Sequence, residues 1–293
     1  MTLEQLRIFV AVAEREHMTR AADALNITQS AASAAIRALE NRHGVALFHR
    51  VGRRIELTPS GREFLGEARA VLARAASAER VLADLGGLVR GTLAVQASQT
   101  IASYWLPRHL VRFRAACPGI DVHLTVGNTA QVARGVAEGA AELGFVEGAV
   151  DDPALAQTVI GWDRMTLVVA PGHPWAGRDT LSAAALADGP WVLREPGSGT
   201  RSVFEAALDG FGVDRSTLCV AFELPSNEAV RAAVVAGGGA TVLSDMVAER
   251  DLSAGTLVRV DVAFPDRPFH ALTHRERSRS RAAAAFLASL AGG

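Results

Sequence analysis

Residues 18–39, MTRAADALNITQSAASAAIRAL, constrain this chain more than any other segment, because their small apolar positions admit two short helices packed across a tight turn. Ala21, Ala22 and Leu25 recur at one-turn spacing in the first helix. The second begins near Thr28 and buries Ala32, Ala35, Ile36 and Leu39. Asn26 suits the turn, and Thr28 is a ready N-cap. What stays outside at the start of the second helix is Thr28, Gln29, Ser30 and Ser33, side chains able to hydrogen-bond base edges and phosphates in a major groove. Thr19 and Arg20, opening the first helix, join this candidate DNA-binding set.

Any Ala-rich bundle shows similar periodicity, so the flanks decide. Upstream, Leu3, Leu6, Val10 and Ala13, with Phe9 beside them, form one apolar stripe. Downstream, Gly44 ends the second helix, Val45, Leu47 and Phe48 re-enter the core, and Arg50, Arg53 and Arg54 precede the strand-like Ile55–Thr58. The layout is a winged helix-turn-helix with a basic wing. Charge follows it. Residues 1–90 carry 13 arginines against 10 acidic residues, whereas the whole chain has a net charge of −1, so the excess of acid lies in the remainder. Between residues 37 and 54, Arg37, Arg42, Arg50, Arg53 and Arg54 are opposed by Glu40 alone, a patch suited to phosphate contacts. There is no lysine, so arginine richness is partly compositional.

After the wing, Phe64, Ala68, Val71, Ala75, Ala78, Leu82, Leu85 and Val89 follow at spacings alternating 4 and 3. That is a heptad seam, and it predicts a long helix that pairs with a second copy; packing on the chain's own second domain is the alternative. Gly86, Gly87 and Gly91 mark its exit. Beyond them short apolar runs alternate with helical stretches: 93–97, 101–116, 120–126, 129–138 and 142–146, then 166–170, 191–193, a helix from about 200, 218–222, a helix from 226, and 240–243. An α/β pattern occurring twice predicts two lobes joined by crossing strands around a cleft, as in periplasmic binding proteins. The fold class expected is therefore α plus α/β, with boundaries at 1–58, 59–89 and 90–293.

Two segments carry the chemistry of that cleft. Ala97-Ser98-Gln99-Thr100-Ile101 follows a strand and opens a helix, so hydroxyls and free N–H groups meet a positive dipole end. Arg194-Glu195-Pro196-Gly197-Ser198-Gly199-Thr200-Arg201 repeats the arrangement in the other lobe, with two glycines that let the backbone curl around a ligand oxygen. Each alone reads as a capped βα turn; the pair points to a small anion held between the lobes.

Other classes find little support. Ser198 sits in Gly-Ser-Gly and not in a nucleophile elbow, no histidine has a general-base motif, and neither a dinucleotide fingerprint nor a phosphate-binding loop occurs. No catalytic residue, metal ligand or cofactor is expected. Cys117 and Cys219 lack metal or disulfide spacing and are expected to be buried thiols. No export signal or apolar run of spanning length is evident, so a cytoplasmic location without membrane contact is expected. A solute-binding receptor without a transcriptional role is the alternative.

The segment from Leu3 to Gly61, with AA.AL.ITQSA.S.AIRALE..HGV.LF.R and the wing VGRRIELTPSG, closely resembles the N-terminal domain of LysR-type transcriptional regulators. Ser30 stands where many members have proline, and Ala32 where valine is usual. The second region resembles the effector domain of the same family through the loop Pro171–Trp175 and residues 223–258. ASQTI, GNT at 127–129, VEG at 146–148 and REPGSGTR are similar to the branch holding the sulfite-responsive CysL type and the carbon-fixation CbbR type. The likeness implies a homodimer through the linker helix and a homotetramer through the receptor domains. It also implies that Gln29 and Ser33 read bases while Arg37, Arg53 and Arg54 meet phosphate or groove edges. By the same likeness Ser98, Thr100, Glu147, Ser198 and Thr200 contact a sulfite- or sulfate-like anion, or a small carboxylate or phosphate metabolite. Glu147 would repel an anion unless protonated or bonded to a donor. A ligand as large as a sugar phosphate would need more basic residues than the sequence places there.

Overall fold

The computed structural model describes residues 1–51, 54–85, 91–148, 150–178 and 181–291. Arg53, Gly86, Gly87 and Val89 therefore lie outside the described residues, as do the side chains of Arg50, Arg54 and Leu85. The chain divides into two compact units, residues 1–88 with 137–140, and the rest of residues 89–293.

In the first unit α1 (Leu3–Arg15) opens on a capping box: the Thr2 hydroxyl accepts the Gln5 N–H at 3.2 Å, and Gln5 Oε1 accepts the Thr2 N–H at 3.0 Å. His17 caps α2 (Met18–Ala24). Asn26 then takes φ 53°, the left-handed region that asparagine tolerates better than most residues. Thr28 Oγ1 accepts the Ala31 N–H at 3.2 Å and starts α3 (Gln29–His43), which Gly44 ends. Ala21, Ala22 and Ala32 are at most 1% exposed, so it is their small size that lets the helices cross closely over Leu6, Phe9, Val12, Ile36 and Leu39. Strands β1 (Phe48–Val51) and β2 (Arg54–Leu57) pair antiparallel as the wing. Glu40, the lone acid of the basic patch, turns inward: its Oε1 accepts the N–H groups of Leu47 and Phe48 at 2.8 and 3.2 Å.

Helix α4 (Pro59–Leu85) follows. The expected seam is divided along its length. Phe64 packs on Phe9 with ring centroids 5.0 Å apart, and Ala68 is 1% exposed within the same core. Val71 and Leu82 are exposed, at 41% and 70%. The first turns of the seam thus serve the chain's own core, and the apolar face left for a partner begins after Ala68.

The second unit has two lobes. In chain order the first contains β3 (Gly91–Ser98), a π-helical turn Ile101–Trp105 running into α5 (Leu106–Ala116), β4 (Ile120–Gly127), α6 (Thr129–Glu138), β5 (Leu143–Glu147) and β6 (Leu155–Asp163). The chain crosses at Arg164 into β7 (Met165–Val169), α7 (Ala183–Asp188), β8 (Pro190–Arg194), α8 (Gly199–Gly210), β9 (Cys219–Leu224), α9 (Asn227–Val235), β10 (Thr241–Ser244), α10 (Asp245–Ala254) and β11 (Val258–Val260). It returns through β12 (Arg267–His274) and ends with α11 (Arg281–Ala291). The first sheet runs β4-β3-β5-β12-β6, so the returning strand is interior to it. The second lobe has the sheet β10-β7-β11 and the pair β8-β9, linked by a bridge between Trp191 and Ala240.

All five residues of β5 and of β7 are buried, which is why both read as mostly apolar runs, interrupted by Thr166 in β7 and closed by Glu147 in β5. The first lobe's core includes the T-shaped pairs of Phe286 with Phe113 and Phe145, so α11 packs back on the sheet. Trp191 centres the second lobe's core, with Phe204 4.5 Å away and its indole N–H on the Leu186 carbonyl at 2.9 Å. Two expectations need correction. Cys219 is exposed on β9, which pairs with β8 alone among the described strands and is exposed along most of its length, and Cys117 is only half-buried. The crossing strands β6 and β12 carry polar residues such as Gln157, Thr158 and His270 amid their apolar ones, and no apolar run marked them.

Candidate functional site

On the first unit, Thr28, Gln29 and Ser30 are exposed at the start of α3, Ser33 is half-buried one turn on, and Arg37 is exposed beyond it. Gln29, Ser33 and Arg37 fall at intervals of four and so share one helix face. The Thr28 and Ser30 hydroxyls lie 3.0 Å apart, which fixes their orientation before any contact with DNA. Thr19 and Arg20 are exposed at the start of α2, where the Arg20 N–H donates to His17 Nδ1 at 3.3 Å. The short polar side chains thus stand in the open at the N-terminal ends of α2 and α3, where an approaching phosphate meets free N–H groups. Arg53 and the Arg54 side chain lie outside the described residues.

The second unit gathers its site from both lobes. Ser98 ends β3 and Thr100 opens the π-helical turn; Ser198 is the N-cap of α8, and Thr200 lies in its first turn. All four are at most 5% exposed. Thr100 Oγ1 accepts from Asn227 Nδ2, at the start of α9, at 3.0 Å. Arg267, 1% exposed at the start of β12, donates from Nη1 to Thr200 Oγ1 at 3.1 Å and from Nη2 to Thr100 Oγ1 at 3.3 Å. Three helix starts, from α8, α9 and the turn before α5, are thereby tied together at one guanidinium and one amide. The Ser198 hydroxyl makes no capping bond, and Ser98 Oγ is buried with no hydrogen-bond partner.

Glu147 is placed differently. It ends β5 at 2% exposure, and the Thr129 hydroxyl approaches its carbonyl at 3.3 Å and its Oε2 at 3.5 Å. Gly199 passes so close that a Cβ there would lie 2.6 Å from the Glu147 carbonyl oxygen. Glu147 therefore backs the start of α8, and no hydrogen bond joins it to the four hydroxyl residues. Gly197, at φ 86°, makes the preceding turn possible.

The charges of the cleft are compensated inside it. Arg267 pairs with Asp163 at 2.7 Å, both 1% exposed, and the Ser244 hydroxyl donates to the other Asp163 oxygen at 2.7 Å. Burial pushes the Asp163 carboxyl above the ordinary carboxylate range, while Arg267 and Ser244 pull against it. Arg194 grips Glu195 with two donors at 2.8 and 2.9 Å and reaches Asn227 Oδ1 at 2.6 Å. Burial resists ionisation of Glu195, yet the bonds from Arg194 and Asn128 leave its carboxyl below its ordinary range. The rims meet across the lobes: Asn128 Nδ2 donates to Glu195 Oε1 at 3.2 Å, the Ala130 N–H to the Gly197 carbonyl at 3.2 Å, and Gln99 exchanges bonds with Pro225 and Asn227 at 2.9 and 3.0 Å.

Sequence reasoning missed Arg267, Asp163 and Asn227, and quoted Gln99 and Arg194 within the two segments without giving either a role. Asn227 could have been noticed beside the Ser226 cap; Arg267 had no local signal. The cleft also holds two buried arginines that the sequence reading did not place there, each paired with a carboxylate. Among the described residues no group of His, Cys, Asp and Glu could hold a metal ion, and no helix is long and apolar enough to cross a membrane.

Residues 3–62 match the family model for the bacterial regulatory helix-turn-helix protein of the lysR family, and residues 86–293 match the LysR substrate binding domain. The chain is 35% identical to the RuBisCO operon transcriptional regulator of Allochromatium vinosum over 98% of its own length and 94% of that protein. Full-length CbnR in complex with its target DNA superposes with a TM-score of 0.68 at 25% identity, covering 99% of each chain. The regulatory domain of CcmR from Synechocystis PCC6803, in complex with 2-PG, superposes with a TM-score of 0.63 at 28% identity over 69% of this chain and 96% of that one.

Proposed function

The chain belongs to the LysR family of bacterial transcriptional regulators, and from that premise we propose that a small anion held between its two lobes governs how the helix-turn-helix unit engages DNA. The observation that carries this reading is Ser98 Oγ, a buried hydroxyl without a partner beside a convergence of helix starts. A buried polar group left unpaired costs about 1–3 kcal/mol, so it is retained where a ligand will satisfy it. Ser98, Thr100, Ser198 and Thr200 contact the anion, and Glu147 shapes the site from behind α8. The CcmR complex with 2-PG supports a phosphorylated or carboxylated metabolite; the uncharged donors suit sulfite or sulfate as well.

The working parts are residues 1–58 for DNA, 59–89 for pairing two copies and 90–293 for the effector. The α4 face from Val71 onward makes the homodimer, and receptor domains pair dimers into a tetramer. A double-stranded DNA partner supports a cytoplasmic location, and no residue is assigned a catalytic role. Gln29 and Ser33 read bases; Arg37, with Arg53 and Arg54, meets phosphate. Closing the cleft shifts the DNA-bound state by no more than the effector's differential affinity for the two states, about 1–3 kcal/mol.

Thermal melting with sulfite, sulfate, phosphate, simple carboxylates and 2-PG tests the effector. Binding at about 100 times the dissociation constant adds about 2.7 kcal/mol. A shift selective for one anion and absent in Ser98→Ala and Thr200→Ala is the expected result; no shift with any of them refutes an anionic effector. For DNA, Gln29→Ala should relax base preference, and Arg37→Ala should weaken all sequences alike and flatten the salt dependence.

A further inference from the structure

The cleft hydroxyls belong to a continuous chain of hydrogen bonds whose direction is fixed at both ends. Arginine only donates. Arg194 donates to Asn227 Oδ1, so the Asn227 amide must turn its Nδ2 toward Thr100. Arg267, held by Asp163, donates to the same Thr100 oxygen and to Thr200. A hydroxyl has two lone pairs and one proton. Both Thr100 lone pairs are filled, from Asn227 and Arg267, and its proton is the one hydrogen-bonding capacity left. Thr200 has one lone pair filled in the same way. Among the described residues neither hydroxyl donates a bond to the protein.

We propose that Arg267 is a positioning residue of this site: together with Asn227 it fills both lone pairs of Thr100 and leaves that hydroxyl a donor only, so that the position facing Thr100 selects a bare oxyanion oxygen over one that carries a proton. The inference rests on the effector reading above and adds what decides between ligands. Neither arginine needs to touch the anion, because each is already paired with a carboxylate. Their role is to set the polarity of Thr100, Arg267 directly and Arg194 through Asn227, and a ligand O–H aimed at that hydroxyl finds no acceptor. Sites built to hydrogen-bond one partner reject the mismatched one strongly, because a buried donor is left facing a donor.

Two probes distinguish ligand proton from protein proton. Sulfate carries no proton between pH 5 and 8, whereas methyl phosphate, like other phosphomonoesters, loses its second proton near pH 6. The charged groups around the two hydroxyls are Arg267 of β12, Asp163 of β6, Glu147 of β5, and Arg194 with Glu195 of the β8 segment; any effect of their charge acts on both probes together. Calorimetric titration of the full chain is therefore run with each probe across that range. The wild type should hold sulfate with little change, and bind methyl phosphate at least about tenfold more tightly once it is a dianion. Arg267→Lys keeps the charge opposite Asp163 but cannot bridge two hydroxyls, so the pH dependence of methyl phosphate binding should flatten toward that of sulfate. Asn227→Ala frees one Thr100 lone pair without touching the Arg267 pair, and should flatten it as well if Arg267→Lys does not fold. A wild-type profile retained in both variants overturns the inference and leaves the effector site standing. Binding of neither probe, nor of any anion in the melting screen, refutes the effector reading and this inference with it.

Discussion

The same residue types stand at helix starts in both units and meet opposite surroundings. Thr28 and Ser30 are exposed, and their bonds close within three residues along the chain. Thr100 and Thr200 are buried, and they find Asn227 and Arg267 at separations of 127, 167 and 67 residues. A surface that meets a polyanion must keep its donors in water until contact, and electrostatics draws the partner in. A cleft that tells one small ion from another must instead fix each proton beforehand, where water cannot substitute for the ligand. The difference teaches that a hydroxyl's role is set less by its identity than by what already occupies its lone pairs.

The sharpest way to break this contrast is Arg267→Ala, which leaves Asp163 buried without its cation and should cost about 3–5 kcal/mol of stability. Arg37→Ala on the exposed helix should stay within about 0.5 kcal/mol of the wild type in the same denaturant titration. Equal midpoints for the two would remove the distinction. Next comes Thr100→Val, which takes the acceptor from two buried donors and is expected to cost about 1–3 kcal/mol. Ser98→Ala should do the reverse. Because Ser98 Oγ bonds nothing, its removal is expected to leave the melting temperature of the free protein unchanged or slightly raised while the anion-induced shift disappears. A clear loss of stability in the free protein would mean that the hydroxyl is structural.

The smallest effect concerns acid. The Glu195 carboxyl lies below its ordinary range in the folded chain, so its share of stability is full above the unfolded-state value and is lost as pH falls through the folded one. Melting followed downward through that window should show a decline that Glu195→Gln lacks; parallel curves would argue that the Asn128–Glu195 rim contact contributes nothing.

Much of the first unit was legible because its information is local. The alternation of Ala21, Ala22 and Ala32, the turn at Asn26 and the cap at Thr28 all lie within a dozen residues, and each has a short-range physical cause. In the second unit the segments around Ser98 and Ser198 were visible as turns from a strand into a helix, though neither start has the side-chain cap its sequence suggested, and α6 occupies residues 129–138 as its pattern indicated. Arg267 was not visible, because an arginine before a proline looks like loop chemistry until the strand order shows where it lands. Glu147 lies near the hydroxyl residues but behind α8, and that placement depends on a close approach to Gly199 that periodicity cannot register. The inward turn of Glu40 was likewise hidden, since its partners Leu47 and Phe48 are backbone donors.

The strand order β4-β3-β5-β12-β6 has a consequence for how the protein is made. The first lobe begins at β3 but needs β12, from residues 267–274, to fill the gap between β5 and β6. The second lobe lies wholly between those segments. During synthesis from the N-terminus the DNA-reading unit can fold first and the second lobe can collapse next, while the first lobe waits with a sheet missing an interior strand. Arg267 arrives with that strand. A ribosome paused before residue 267 would therefore carry a chain whose DNA-reading unit is complete but whose ligand site is not, and the newborn regulator becomes responsive only late in its own assembly.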